Sequence, residues 1–426
     1  MTVAVAVTLT KAQIVPALSI YRQMAEDTYP RFSDSEFQRR VDLARDLMRR
    51  EGLAALVLFG NSGVNRHNQA NVFWLTNYLD LHHNYLVFPL EGESALLTGL
   101  MNHVPNARSI STIPDTRWGG YEPPREIVAH LKKSGIGTGR VGLVGVNATF
   151  GMSMPYQHFL DLREGLPEVE WVDVTRDFAR LRAVKSEEEF TWLEKAAEFT
   201  DMTLAALEAE TRPGLTEHDL IGIVEGAYRR KGGQPHIAFL RSMPMNAPAA
   251  CVPAQNVTGR VIQKGDVIIT EISASFWGYS GQIHRPIAVG RDPTSEWRRL
   301  FQVGVQAYER MCAVIRPGAA EADVIKAASI IGESGYRIYD DLVHGYGVDI
   351  HPPIIDRSCC DYWPWDDTRP APAGRAFAED MAIVVQPNPI TPDERMGLQV
   401  GALTRVTQAG AVSLQAFPMK FVVAEG

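Results

Sequence analysis

Apolar and polar positions switch between two periods along this chain, and the switching outlines its elements. Phe37, Val41, Leu43, Leu47 and Met48 recur at helical spacing behind Ser33-Asp-Ser35, which predicts a capped helix over 36–51. Leu53-Ala-Ala-Leu-Val-Leu-Phe59 is a continuous apolar run of buried-strand length. Phe73–Thr76, Tyr85–Phe88, Ser94–Leu97 and Arg140–Gly145 read as further strands, with helices over 124–134 and 154–162 between them. Such alternation predicts a small α/β domain. From Arg180 the pattern changes. Arg182-Ala-Val-Lys185-Ser-Glu-Glu-Glu189 leads into a long helix ending near Glu210, with Ser186 as N-cap and Glu189 at the capping-box position. The domain boundary is placed there, giving residues 1–179 and 180–426; residues 1–34 read as an arm or ordered tail.

The second half echoes itself. Thr211-Arg-Pro-Gly-Leu-Thr-Glu-His-Asp-Leu220 is matched about 104 residues later by Ile315-Arg-Pro-Gly-Ala-Ala-Glu-Ala-Asp-Val324. In each case a long helix ends, Arg-Pro-Gly turns the chain and an acidic-capped helix starts. A strand region follows each, at Pro235–Leu240 and Asp341–Gly345. The repeat predicts a duplicated domain with pseudo-two-fold symmetry. Between the two copies, Gly265–Arg285 reads as two strands with a tight return. Glu271, Gln282, His284 and Arg285 project from it and mark a candidate site.

Composition narrows the function classes. The chain has 426 residues, 45% of them hydrophobic and 22% charged, and needs no disulfides to bury a core. Its net charge of −8 and the lack of a basic stripe argue against nucleic acid as a partner. The four cysteines (Cys251, Cys312, Cys359 and Cys360) suit neither a disulfide framework nor a zinc ribbon. No run of about 20 apolar residues and no charged leader appears, so a cytoplasmic protein with no membrane partner is expected. The polar loop Asn61–Gln69 and the cluster Asp80, His82, His83 and Asn84 sit at strand ends, where binding residues favour loops.

A family resemblance rests on a run of motifs in fixed order. These are Arg182…Lys185-Ser…Glu189, the duplicated Arg-Pro-Gly, the Gly265-Asp hairpin, His344-Gly-Tyr-Gly-Val-Asp-Ile-His351-Pro-Pro353 and Val385-Gln-Pro387. They resemble the pita-bread family of Xaa-Pro peptidases, methionine aminopeptidases, creatinase and ectoine hydrolase. The resemblance implies an α/β (α+β) protein, with a creatinase-type N-terminal α/β domain before a duplicated pita-bread αββ catalytic domain. It also implies a homodimer whose N-terminal domain reaches the partner's active site, with Trp74, His82 or His83 near that junction. The peptidase members hold two metal ions through Asp, Asp, His, Glu and Glu. Those positions fall here on Glu271, Gln282, His344, Gln386 and Gly401. Two amides and a glycine are poor ligands for hard divalent cations, so no metal and no cofactor are expected. The match to creatinase is also broken, because Gln386 replaces its late Glu and His284 replaces the Glu before its hairpin Arg.

The expected site is therefore His344, Glu271, His351 and His284 as catalytic groups. Gln282, Gln386, Arg285, His82, His83 and, on an aromatic loop, Trp363 and Trp365 are expected to face the substrate. Histidine serves as general acid or base, with Glu271 as orienting carboxylate or nucleophile. The expected activity is metal-independent hydrolysis of a C–N bond in a small polar nitrogen-containing compound. Three alternatives stand beside it: an Xaa-Pro dipeptidase or aminopeptidase-like metallopeptidase with a degenerate site, a lyase on a small organic acid, and an inactive binding protein.

Overall fold

The computed structural model describes residues 29–61, 69–147, 153–355 and 376–425. The predicted N-terminal arm, most of the 61–69 loop, Cys359-Cys360 and the aromatic loop with Trp363 and Trp365 lie outside the described residues. The chain divides into two compact units, one running to Leu181 and the other spanning Arg182–Gly426. Among the described residues no helix is long and apolar enough to cross a membrane.

In the first unit, α1 (Asp34–Glu51) starts at Ser33, whose hydroxyl accepts from Glu36 N–H, and ends at Gly52 in the left-handed conformation. There follow β1 (Ala55–Gly60), α2 (Ala70–Thr76), β2 (Asn84–Pro89), β3 (Ala95–Thr98), α3 (Val104–Ile110), β4 (Asp115–Trp118), α4 (Pro123–Lys133), β5 (Gly139–Val144), α5 (Tyr156–Gly165), β6 (Val169–Asp173) and α6 (Thr175–Leu181). The strands form one mixed sheet in the order β4-β3-β2-β1-β5-β6. One expectation is corrected here. Phe73–Thr76 is not a strand but the end of α2, because Val72, Phe73, Trp74, Leu75 and Thr76 are all buried. A helix buried on every side presents a continuous apolar run, which periodicity does not separate from a strand.

The second unit opens with α7 (Glu187–Glu210), whose Ser186/Glu189 capping box is formed in both directions. Next come α8 (Glu217–Arg229), β7 (Gln234–Pro244), β8 (Asp266–Phe276), β9 (Tyr279–His284) and β10 (Ile287–Val289). The second copy has α9 (Ser295–Val314), α10 (Glu321–Ala328), β11 (Arg337–Ile338), β12 (Val343–Gly345), β13 (His351–Ile355), β14 (Ala382–Val385) and β15 (Pro389–Ile390). The chain ends with β16 (Gly401–Thr407), β17 (Gly410–Ser413) and β18 (Val422–Ala424). A ten-stranded sheet runs β13-β12-β14-β16-β9-β8-β10-β18, with β7 paired to β8 and β17 to β16. Each Arg-Pro-Gly thus separates a long helix from a short one, and each helix pair covers its own half of the sheet. Phe199, Leu204, Leu220 and Val224 pack on Ile272, Ala274 and Ile283. Ala307, Met311 and Val324 pack on Val343, Ile383 and Val385.

One contact sets how closely α7 lies on the sheet. A Cβ at Gly281 of β9 would stand 2.7 Å from the Ala196 carbonyl oxygen, and backbone cannot yield as a side chain can. Gly281→Ala is expected to destabilise the protein by about 1–3 kcal/mol through overpacking. A lower urea midpoint at unchanged m-value would register it; an unchanged midpoint would show that the helix can ride outward.

Candidate active site

Strands β8 and β9 are joined by the two-residue turn Trp277-Gly278, with both residues at positive φ, 44° and 84°. Such a turn matches the twist of the strands and fixes their register. Ser273 faces Gln282 and Ser275 faces Ser280. Side chains alternate along a strand, so Glu271, Ser273 and Ser275 share one face with Ser280, Gln282 and His284. The opposite face carries Ile272, Ala274 and Ile283 towards α7 and α8. The hairpin is therefore apolar towards its helices and polar towards the site.

β12, β14 and β16 complete the polar floor. His344 pairs with Val384, and Gly401 stands opposite His284. Asp340 and Asp341 lie just before β12. Gln282 Nε2 donates to Glu271 Oε1 at 2.9 Å, and the Gln399 side chain also bonds this carboxyl group. Gln386 Nε2 donates to Asp341 Oδ1, and Asn388 Nδ2 donates to Asp340 Oδ2 at 3.3 Å. Among the described residues, no well-formed hydrogen bond reaches the amide oxygens of Gln282 and Gln399, and the Gln386 side chain is a polar group that favours the charged form of His344. Among the described residues, no well-formed hydrogen bond reaches either ring nitrogen of His284, the Asn388 side chain being the polar group that favours its charged form.

Three carboxyl groups in one recess alter each other's protonation. Burial, then the charge of Asp340, pushes Glu271 up to about 8. Burial, then the charge of Asp341, pushes Asp340 up to about 7. Burial raises Asp341 to about 6. The imidazoles move the other way, burial taking His344 down to about 4 and His284 to about 3. Exposure separates the two kinds of group. Glu271, Asp340 and Asp341 keep a partly exposed edge, although protein surrounds them. His284, His344, Gln282 and Gln386 are buried. The partly exposed edge of the cluster is thus made of carboxyl groups, with neutral imidazoles behind, whereas the sequence reading makes histidine the proton shuttle and Glu271 an orienting carboxylate or nucleophile.

His351 has a fixed place. Its Nδ1 lies 2.8 Å from Pro352 O, and its Nε2 lies 3.0 Å from Lys185 Nζ. Since an ammonium only donates, Nε2 accepts and Nδ1–H donates to the carbonyl. A Cβ at Gly345 would lie 2.2 Å from His351 Nδ1, and one at Gly347 would lie 3.0 Å from Lys185 Cε. The glycines of His344-Gly-Tyr-Gly therefore make room for the imidazole and the lysine. Tyr346 Oη reaches Ser273 Oγ at 3.0 Å and His236 Nδ1 at 2.8 Å, tying this loop to β8 and β7.

Arg285 does not extend the polar face. By alternation it lies on the side opposite His284, and its guanidinium donates to the carbonyls of His284, Gly401, Phe417 and Pro418 at 2.8–3.2 Å. It is 2% exposed, and burial lowers its pKa only to about 10, so it stays charged. Every contact is structural, which corrects its assignment to the substrate. Arg285→Met would strand four carbonyls, and a loss of about 3–5 kcal/mol is expected. Thermal unfolding checks this: a Tm within a degree of the wild type would leave the guanidinium free for another role.

His82 and His83 belong to the first unit, in the turn before β2. Trp74 is wholly buried in that unit, edge-on to Phe178 with ring centroids 5.6 Å apart, so it is a core residue. Sequence reasoning did not single out Asp340, Asp341, Asn388 or Gln399. The adjacent carboxylates of Tyr339-Asp-Asp-Leu-Val-His344 are the available signal, three residues ahead of a predicted site histidine.

The five positions at which the family resemblance implies metal ligands do not fit a dinuclear centre here. A Cβ at Gly401 would already meet Val385 O at 2.6 Å and His284 Nδ1 at 3.0 Å. The imidazole fills the space that a carboxylate needs. The amides of Gln282 and Gln386 bring neutral groups and turn their N–H donors to the carboxyls. Among the described residues, no three His, Cys, Asp or Glu side chains of this cluster bring ligand atoms within 4.8 Å of one another.

Comparison with known proteins matches these features to a class. Residues 191–408 match metallopeptidase family M24, and residues 40–184 match the creatinase/prolidase N-terminal domain. The Xaa-Pro dipeptidase of Pyrococcus furiosus is 25% identical over 350 residues, covering 81% of this chain and 90% of that protein. The prolidase structure from Pyrococcus horikoshii superposes with a TM-score of 0.72 at 20% identity, over 90% of this chain and 99% of the other. An X-Pro aminopeptidase structure from Thermotoga maritima gives 0.73 at 18% identity, over 90% and 99% of the two chains. The fold is the pita-bread fold behind a creatinase-type N-terminal domain. The chain belongs to metallopeptidase family M24.

Proposed function

We propose that the second unit hydrolyses an amide-type C–N bond in a small polar substrate of about dipeptide size, using its own carboxyl groups for proton transfer. The observation that carries this reading is the separation of proton affinities among groups at one partly exposed surface. At neutral pH Glu271, raised to about 8, is a carboxylic acid, and Asp341, at about 6, is ionised. An acid and a base held apart in this way supply both halves of a hydrolysis. The Asp341 carboxylate takes a proton from water as the water oxygen bonds to the carbonyl carbon. Glu271 gives its proton to the nitrogen as the C–N bond breaks, leaving a carboxylic acid and an amine. The oxygens of Gln282 and Gln399, which meet no donor among the described residues, would accept hydrogen bonds from N–H groups of the substrate.

Family membership and the names of the relatives favour an Xaa-Pro dipeptide. The replaced ligand positions favour a second reading, a non-peptide C–N bond. A panel of Xaa-Pro dipeptides beside small linear and cyclic amides, assayed before and after chelation, tests both. Dipeptide turnover that survives chelation is the expected result. Turnover of non-peptide amides alone would select the second reading. Activity abolished by chelation and restored by a divalent metal would overturn the carboxyl mechanism.

A further inference from the structure

The first unit holds a group of side chains that the hydrolytic site does not use. Asp80 follows α2, His82 precedes β2, and His103 ends a single 3₁₀ turn (Met101–His103) after β3. The ring nitrogens His82 Nδ1 and His103 Nδ1 lie 4.0 and 3.9 Å from Asp80 Oδ1. The ligand atoms of all three residues fall within 4.8 Å of one another, the only such set of His, Cys, Asp or Glu among the described residues.

The site is built rather than incidental. The Asp80 side chain is 0% exposed, and a buried carboxylate needs compensation. It receives His82 N–H at 3.1 Å and Gly99 N–H at 3.3 Å. No lysine or arginine among the described residues comes within 4.0 Å of it; at that range the only basic side chains it meets are the two imidazoles. Among the described residues, His82 Nδ1 is itself buried without a hydrogen-bond partner. A Cβ at Gly99 would stand 2.6 Å from His82 Cβ and 2.7 Å from His83 O, so the chain closes over Asp80 there because residue 99 has no side chain. The imidazoles are 38% and 32% exposed, which leaves a way in from solvent.

We infer that Asp80, His82 and His103 bind a single divalent cation of the zinc type. Two imidazoles and one carboxylate are the donor set that zinc and its late first-row neighbours accept, and three protein ligands leave one position for water. Tetrahedral ligands at about 2.05 Å from zinc stand about 3.3 Å apart, so the imidazoles must close on Asp80 by about 0.6 Å. Their partial exposure leaves room for that rotation. The cation would tie the turn before β2 to the segment after β3, independently of the reaction proposed for the second unit.

Cobalt(II) titration of the full chain, followed by visible absorbance, is the test, with zinc competition to confirm the site. One equivalent per chain is expected. Binding should weaken about 100-fold or more in His82→Ala/His103→Ala and stay unchanged in Glu271→Gln/His344→Ala. X-ray absorption of the zinc-loaded wild type should count two imidazoles, a readout that needs no variant to fold. No binding by the wild type, binding retained in His82→Ala/His103→Ala, binding lost in Glu271→Gln/His344→Ala, or fewer than two imidazoles on the metal would each overturn the assignment.

Discussion

Glu271→Gln is expected to lower kcat/KM at neutral pH by about 10²–10⁴-fold, the range that one positioned general acid supplies. Glutamine keeps the size and planarity of the side chain and most of its contacts with Gln282 and Gln399, so little of the loss should come from misfolding. It has no proton to give to a leaving nitrogen. The pH profile separates this role from a structural one. In the wild type the acidic limb should follow the base Asp341, at about 6, and the alkaline limb the acid Glu271, at about 8. The variant's residual activity should lose the alkaline limb and keep the acidic one. Asp341→Asn should do the reverse. A loss below tenfold, or an alkaline limb unmoved by the substitution, would remove Glu271 from the mechanism.

Much of this arrangement was legible in the residues, and the rest was hidden for physical reasons. The Arg-Pro-Gly echo exposed the duplicated helix pairs because turn chemistry is local. The Ser186/Glu189 capping box is legible for the same reason. Alternation in Glu271-Ile-Ser-Ala-Ser275 could have divided the hairpin's faces and placed Arg285 on the structural side, had it been followed one residue past His284. The Phe73–Thr76 run misled because a helix buried all round and a buried strand look alike in sequence. The exchange of a carboxylate at 401 for the imidazole of His284 was beyond reach. It depends on β16 lying beside β9 with Gly401 opposite His284, a pairing across more than a hundred residues. The order of groups, carboxyls in front and imidazoles behind, likewise follows from tertiary burial, and local pattern carries no trace of it.

The same groups should give the protein a stability maximum on the acid side of neutrality. Where the folded chain holds more protons than the unfolded one, raising the pH destabilises it. Glu271, Asp340 and Asp341 keep their protons to about 8, 7 and 6, against ordinary values of 4.5, 3.8 and 3.8. Their contribution is fully present below those ordinary values and is lost as pH rises, the loss ending near about 8. His344, His284, His236 and His351 are all lowered by burial from 6.5. Their contribution is present above 6.5 and is lost as pH falls. His83 and His158 are lowered by burial as well, and Asp201 is raised, so between about pH 4.5 and 6 the imidazoles outnumber the carboxyls and stability should rise with pH. Above about 7 most unfolded imidazoles have lost their protons while Glu271 still holds its own and Asp340 keeps part of its own, so stability should fall until about 8. Urea midpoints across this range should therefore peak at about pH 6.5 to 7. In Glu271→Gln one proton fewer is at stake, and the decline towards pH 8 should flatten. A midpoint that climbs steadily to pH 8, or a decline that the substitution leaves intact, would mean that the recess does not hold these carboxyl groups protonated, and the acid proposed for the reaction would be missing at the pH where it is needed.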